Sequence, residues 1–263
     1  MQAIHLVVLY LFIRTIVDFP LALIDYYKDT NYLDNSIKKI VLGVGSVGFI
    51  LIYGYRNART KLKELFPMKF FNPLILLPIV TFLWADQNMI GEVNIWVEKV
   101  LPSPPWFWEL FSKIFEGHYG IYGVILKVAV LAPLIEELIF RGIIMHGLMR
   151  NYSKFTAVFV SALMFALFHL NPWQFPATFV LGIILGILMV RTRNILLCIL
   201  GHGMNNGLVL LFMHYNDTVS ENTFYLLDRT KQLQISAMVI VLSLLLIILL
   251  SWKRNRKMKS KQL

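Results

Sequence analysis

A single cysteine, Cys198, in 263 residues excludes an intramolecular disulfide and leaves the redox compartment unread. Inside an apolar run, it reads as a small core residue. Charge is scarce too: 15% of residues are charged against 57% hydrophobic, and the mean hydropathy of +0.65 excludes an ordinary soluble domain. No H-E-x-x-H is present, which removes the usual zinc-protease helix. There is no repeat, no low-complexity tract and no linker marking off a second soluble domain. "GVGSVG" at 43 to 48 formally matches a dinucleotide-binding pattern but has neither a preceding strand nor a βαβ context, so Gly43, Gly45 and Gly48 read as helix-packing residues. The first apolar stretch, "AIHLVVLYLFIRTIVDFPLALI", lacks the charged start and cleavage site of a signal peptide and is expected to be a retained span.

What is present is a membrane protein. A net charge of +10 would suit nucleic acid, but the basic residues cluster beside apolar runs, in "RNARTKLKELFPMK" and "KRNRKMKSK". That is how the cytoplasmic flanks of membrane helices look, and nucleic acid is excluded as a partner in favour of the lipid bilayer. With roughly 17 to 25 apolar residues needed per span, the chain predicts an all-α, polytopic transmembrane bundle of about eight spans. These lie near 3 to 24, 37 to 55, 73 to 90, 120 to 149, 155 to 170, 175 to 190, 195 to 213 and 234 to 252. Lys and Arg gather at 56 to 70, at Arg150 with Lys154, at Arg191 with Arg193, and in the tail from Lys253. Eight spans put all four groups on one side, so both termini are expected to be cytoplasmic. Lys28, Lys38 and Lys39 run against this bias in the first outer loop. Trp106, Phe107 and Trp108 in "LPSPPWFWELFSKIF" suit a membrane interface, as an aromatic anchor or as a lid.

Charge inside a span costs about 2.5 to 3.5 kcal/mol per residue on insertion scales, so it is kept where it is paired or functional. Asp18 lies four residues after Arg14 and reads as paired; Asp86 is the other aspartate well inside a span. "APLIEELIFRG" sets Glu137 and Arg141 four apart, able to pair on one helix face. Glu136 is turned about 100° away, towards a different neighbour. Pro133, one turn earlier, is expected to kink the helix beside the carboxylates. "FALFH" puts Phe165 and His169 on one face, and "HGMNN" does the same for His202 and Asn206. A carboxylate, two imidazoles and an amide on three helices suffice for hydrolysis of an amide bond, with a carboxylate taking the proton of a water and imidazole and amide holding the oxyanion. Glu136, His169 and His202 could equally bind a divalent metal such as zinc, with one position open for water. His5, His118, His146 and His214 have no such partners in sequence and read as structural or interfacial.

These residues resemble a known family. "EELIFRG", "FALFH" and "HGMNN" are similar to the E-E-x-x-x-R, F-x-x-x-H and H-x-x-x-N motifs of the CPBP intramembrane proteases, which include the CAAX prenyl endopeptidases and the Abi-type bacteriocin immunity proteins. Gly182 and Gly186 stand where the family often keeps glycines. The resemblance implies a protease-like core over 120–215; the N-terminal helices with the aromatic loop over 1–119 and the C-terminal helix with a basic tail over 216–263 lie outside it. It implies that Glu136 activates water together with His169, that His202 and Asn206 stabilise the oxyanion, and that Glu137 and Arg141 orient them. The family has been described both as metalloproteases and as glutamate-dependent proteases. The substrate expected is a membrane-associated protein or peptide. The alternative is a non-catalytic immunity or scaffold protein that binds a peptide in the same cavity; a transporter is a weaker option, since no inverted repeat is visible.

The loop charges make one test. Reporters fused after residue 62 and at the C-terminus should both register as cytoplasmic, and one near residue 100 should not; opposite locations for the first two would break the eight-span count.

Overall fold

The computed structural model describes Ile24, Lys28 and residues 36–105, 120–214 and 224–259, with side chains from residue 45 onward and up to 251. The expected span at 3 to 24, the Arg14–Asp18 pair, His5, His118 and the Trp106–Trp108 cluster lie outside the described residues. Every regular element among the described residues is helical, as the long apolar runs predict.

Helix α1 is Ser36–Ala58. After a short turn, α2 (Leu62–Leu65), a 3₁₀ turn (Pro73–Ile75) leads into α3 (Leu76–Val100). Asn72 caps this entry by accepting from Leu74 N–H at 3.1 Å, and Pro73 sits in the first turn, where a missing N–H costs nothing. A helical rod, α4, then runs from Gly120 to Met149. Its α segments Gly120–Ile125, Ala132–Glu137 and Met145–Met149 alternate with π segments Leu126–Leu131 and Leu138–Ile144. Helix α5 (Lys154–Phe168) starts on Ser153, whose Oγ accepts from Thr156 N–H at 3.1 Å. The remaining helices are α6 (Phe175–Thr192), α7 (Ile195–His214) and α8 (Arg229–Lys259).

Four described helices are long and apolar enough to cross a membrane: Pro73–Val100, Phe175–Thr192, Ile195–His214 and Arg229–Ser251. The helix of the third expected span runs on to Val100 rather than stopping near 90, because Asn88, Glu92 and Asn94 do not end it; Asn88 and Glu92 instead meet α8. There Arg229 donates to Glu92 Oε1 at 2.6 Å and to Asn88 O at 2.9 Å, and Thr81 and Ser243 share a hydroxyl hydrogen bond of 2.9 Å. Beyond this seam α8 exposes Met238, Val241, Leu242, Leu244, Leu245 and Leu246, the outward apolar surface that lipid covers. The α5 helix has only 15 residues, fewer than the reading of 155 to 170 allowed, since the chain turns at His169.

The core is formed where α4, α5, α6 and α7 meet, with side chains of α1, α2 and α3 packed into it. A Cβ on Gly182 would lie 2.9 Å from Ala162 Cα, and one on Gly186 would lie 2.9 Å from the side chain of Val158, so these glycines let α6 approach α5 closely. At the end that carries Arg150 and Arg193, Asn194 is fully buried. It donates from Nδ2 to Lys69 O at 2.8 Å and accepts from Leu196 N–H at 3.3 Å, while Ile195 N–H donates to Pro67 O at 2.9 Å. The segment after α2 is thereby tied beneath the start of α7. Asn194→Ala leaves the Lys69 carbonyl without its donor; thermal unfolding of the purified protein should report a loss of about 1–3 kcal/mol.

Candidate active site

Both glutamates sit at the C-terminal end of the α segment Ala132–Glu137, between the two π segments of α4. Pro133 is expected to kink the rod, and the structure has a π register on either side of the segment that contains it. The N–H of Ala132 bonds five residues back, to Lys127 O, and the N–H of Met145 likewise reaches Phe140 O. Wide turns of this kind change the azimuth of the residues beyond them, so they set the directions in which Glu136 and Glu137 leave the rod.

Glu137 is fully buried and Arg141 is 1% exposed. Glu137 Oε1 accepts from Arg141 Nη1 at 2.8 Å and from His202 Nδ1 at 2.9 Å. Arg141 Nη2 donates to Gly182 O at 3.1 Å, and its guanidinium lies 4.7 Å from the centre of the Phe165 ring. One carboxylate and one guanidinium therefore join α4, α6 and α7 over an aromatic floor from α5. Phe165 is the centre of that floor: His169 packs on it edge-on at 4.9 Å, His202 at 5.5 Å and Phe140 at 5.2 Å. The sequence sets Phe165 beside His169 but gives it no part in the site; the pairing of an aromatic with a histidine one turn on is the signal that could have done so.

Both imidazoles are held by the same nitrogen. His202 Nδ1–H donates to Glu137, and His169 Nδ1–H donates to Phe165 O at 2.8 Å. A neutral ring so held keeps its lone pair at Nε2. His202 Nε2 is 3.9 Å from Glu136 Oε2, an oxygen buried without a hydrogen-bond partner among the described residues. Glu136 itself is 18% exposed, unlike its neighbour. His169 is the C-cap of α5, and Leu170 comes after it with φ +50, the left-handed position where glycine is usual.

Asn206 is committed elsewhere. Its Nδ2 donates to Val128 O at 2.9 Å, and its Oδ1 accepts from Asn205 Nδ2 at 3.3 Å. Asn205 Oδ1 in turn accepts from Gln87 Nε2 of α3 at 2.8 Å. Gln87 and Asn205 do not stand out in the sequence, because neither belongs to a recognisable spacing.

Held through Nδ1 and free at Nε2, the two histidines are supported from behind as metal-binding imidazoles usually are. Among the described residues, no three His, Cys, Asp or Glu side chains gather into a group that could hold a metal ion as they stand.

Residues 119–208 match the family model of the type II CAAX prenyl endopeptidases, Rce1-like. This stretch is similar to the core of that family. All three motifs fall within it. Over 96 residues the chain is 34% identical to the membrane-embedded CAAX protease MroQ of Staphylococcus aureus (strain USA300), covering 34% of this chain and 38% of that protein. The chain thus spans well under half the length of the curated relative it matches. No solved structure matches.

The buried cluster predicts an asymmetry between variants. Arg141→Ala strands the Glu137 charge and should destabilise the protein by about 3–5 kcal/mol, seen as a lower unfolding midpoint and less folded protein. Adding Glu137→Gln should recover part of that loss, because no unpaired charge then remains; a purely additive double variant would contradict the pairing.

Proposed function

We propose that the protein is an intramembrane endopeptidase that hydrolyses a peptide bond of a membrane-associated protein or peptide. The observation that carries this is Glu136: a partly accessible carboxylate with an unpartnered buried oxygen, 3.9 Å from the Nε2 of a histidine locked at its other nitrogen. Glu137 and Arg141, in contrast, are buried from solvent and bonded to each other at 2.8 Å. The family match over 119–208 supports the same reaction class.

Glu136 accepts a proton from a water that His169 Nε2 helps to hold, and the water oxygen attacks the scissile carbonyl carbon. The carbonyl π electrons move onto oxygen. When the tetrahedral intermediate collapses, the C–N bond breaks and the proton on Glu136 passes to the leaving amine. His202 has already given Nδ1–H to Glu137, so it donates to the oxyanion from Nε2 when its ring carries both protons. Glu137 and Arg141 touch no substrate; they fix where His202 stands.

The test is cleavage of membrane-anchored fluorogenic peptides by the purified full chain in lipid. Glu136→Gln should lower turnover by about 10²-fold or more with folded protein near normal, as loss of a general base does. Activity should survive a strong chelator, and elemental analysis should find no stoichiometric zinc. A zinc present in the wild type and lost in His202→Ala, with activity lost on chelation, would instead make Glu136, His169 and His202 a ligand set. Equal loss of folded protein for Glu136→Gln and Glu137→Gln would make the cluster structural.

A further inference from the structure

In the π register preceding Glu136, the carbonyl of Val128 has lost both of its ordinary donors. The N–H of Ala132, four residues on, bonds to Lys127 O instead. The N–H five residues on would belong to Pro133, which has none. A carbonyl left unpaired in the apolar interior costs about 1–3 kcal/mol. Asn206 fills the gap: its Nδ2 donates to Val128 O at 2.9 Å. The amide is turned for that purpose, because Oδ1 accepts from Asn205, whose own Oδ1 accepts from Gln87. The neighbouring carbonyl points into the same seam: a Cβ on Gly203 would lie 2.5 Å from Ala129 O, so only glycine lets α7 come this close.

We propose that Asn206 is a positioning residue whose side-chain amide replaces the backbone N–H that Pro133 lacks, fixing the π turn of α4 that aims Glu136. Gln87 and Asn205 belong to the same device, orienting the Asn206 amide from α3. Pro133 and Asn206 are thus two halves of one feature: the proline withholds the N–H that Val128 O would take in the π turn, and the asparagine supplies it. Glu136 lies three residues after Pro133, so a slip back to the α register would rotate it away from His202.

The coupling gives a direct test, which rests on the peptidase reading only in its activity arm. Asn206→Ala should lower the unfolding midpoint of the full chain in detergent and lower kcat roughly 10²-fold with KM little changed, as misplacement of a reacting group does. Pro133→Ala supplies an N–H whose acceptor five residues back is Val128 O, and alone it should be tolerated, since a carbonyl can accept two hydrogen bonds. In the Pro133→Ala background, Asn206→Ala should lose most of its effect on both midpoint and kcat. Gln87→Leu should give a smaller fall in kcat, suppressed in the same way.

If Asn206→Ala alone gives no folded protein, recovery of folded protein by Pro133→Ala is the same positive result. Undiminished effects in the double variant would overturn the proposal. So would recovery of the midpoint without recovery of kcat, which would put Asn206 in contact with the reacting atoms. Should the wild type cleave none of the anchored peptides, the peptidase reading falls, while the unfolding cycle still decides between pin and no pin.

Discussion

One oxygen, Glu137 Oε1, accepts from an arginine on its own helix and a histidine on another, and the geometry of the site depends on it. Burying a carboxylate and a guanidinium is costly, and such a pair is weak evidence for stability in itself. Here it gives direction. The guanidinium is held over Phe165 with its second arm on Gly182 O, so α6 has to approach closely and a glycine has to stand there. The imidazole of His202 is held through Nδ1, so the nitrogen facing Glu136 is Nε2. A hydrophobic substitute for the pair could hold the helices together but could not choose between the two nitrogens of a ring.

The two adjacent glutamates illustrate how helix azimuth separates chemical roles. Glu137 is fully buried and paired twice over through one oxygen; Glu136, one residue earlier, is 18% exposed and comes no nearer than 3.9 Å to His202. Nothing in their intrinsic chemistry differs. The α segment that bears them places one against the seam with α7 and the other at its edge, and the π segments on either side set that placement.

Much of this was legible because membrane sequences are constrained from two sides. Apolar runs point to the helices, since backbone polar groups in lipid must be satisfied within the segment. The cost of intramembrane charge makes Glu136, Glu137, Arg141, His169 and His202 stand out before any helix is placed. The spacing of four between Glu137 and Arg141 foretells their contact. The features that escape are carried by the backbone and by neutral side chains. Pro133 announces a disturbance but not its form, because a kink and a π turn both answer a missing N–H. Gln87, Asn194 and Asn205 carry no charge to betray them, and their partners are carbonyls or amides, most of them remote in sequence. The end of α3 is misplaced in the sequence because Glu92 looks like a terminus until Arg229 is seen opposite it.

The shortness of α5 has a consequence for the membrane itself. Fifteen residues rise about 22 Å, whereas the hydrocarbon layer is about 30 Å thick. If its basic start lay near one headgroup region, a helix of this length would end before reaching the other; His169 caps it. Hydrophobic mismatch of this sort is met by thinner lipid around the protein or by a polar recess above the helix end. The turn after His169 is itself polar: Asn171 Oδ1 accepts from the N–H groups of Trp173 and Gln174, and Trp173 Nε1 donates to Leu101 O. Bilayer thickness therefore becomes a property the site is coupled to, because it sets how far water must descend to meet the histidine.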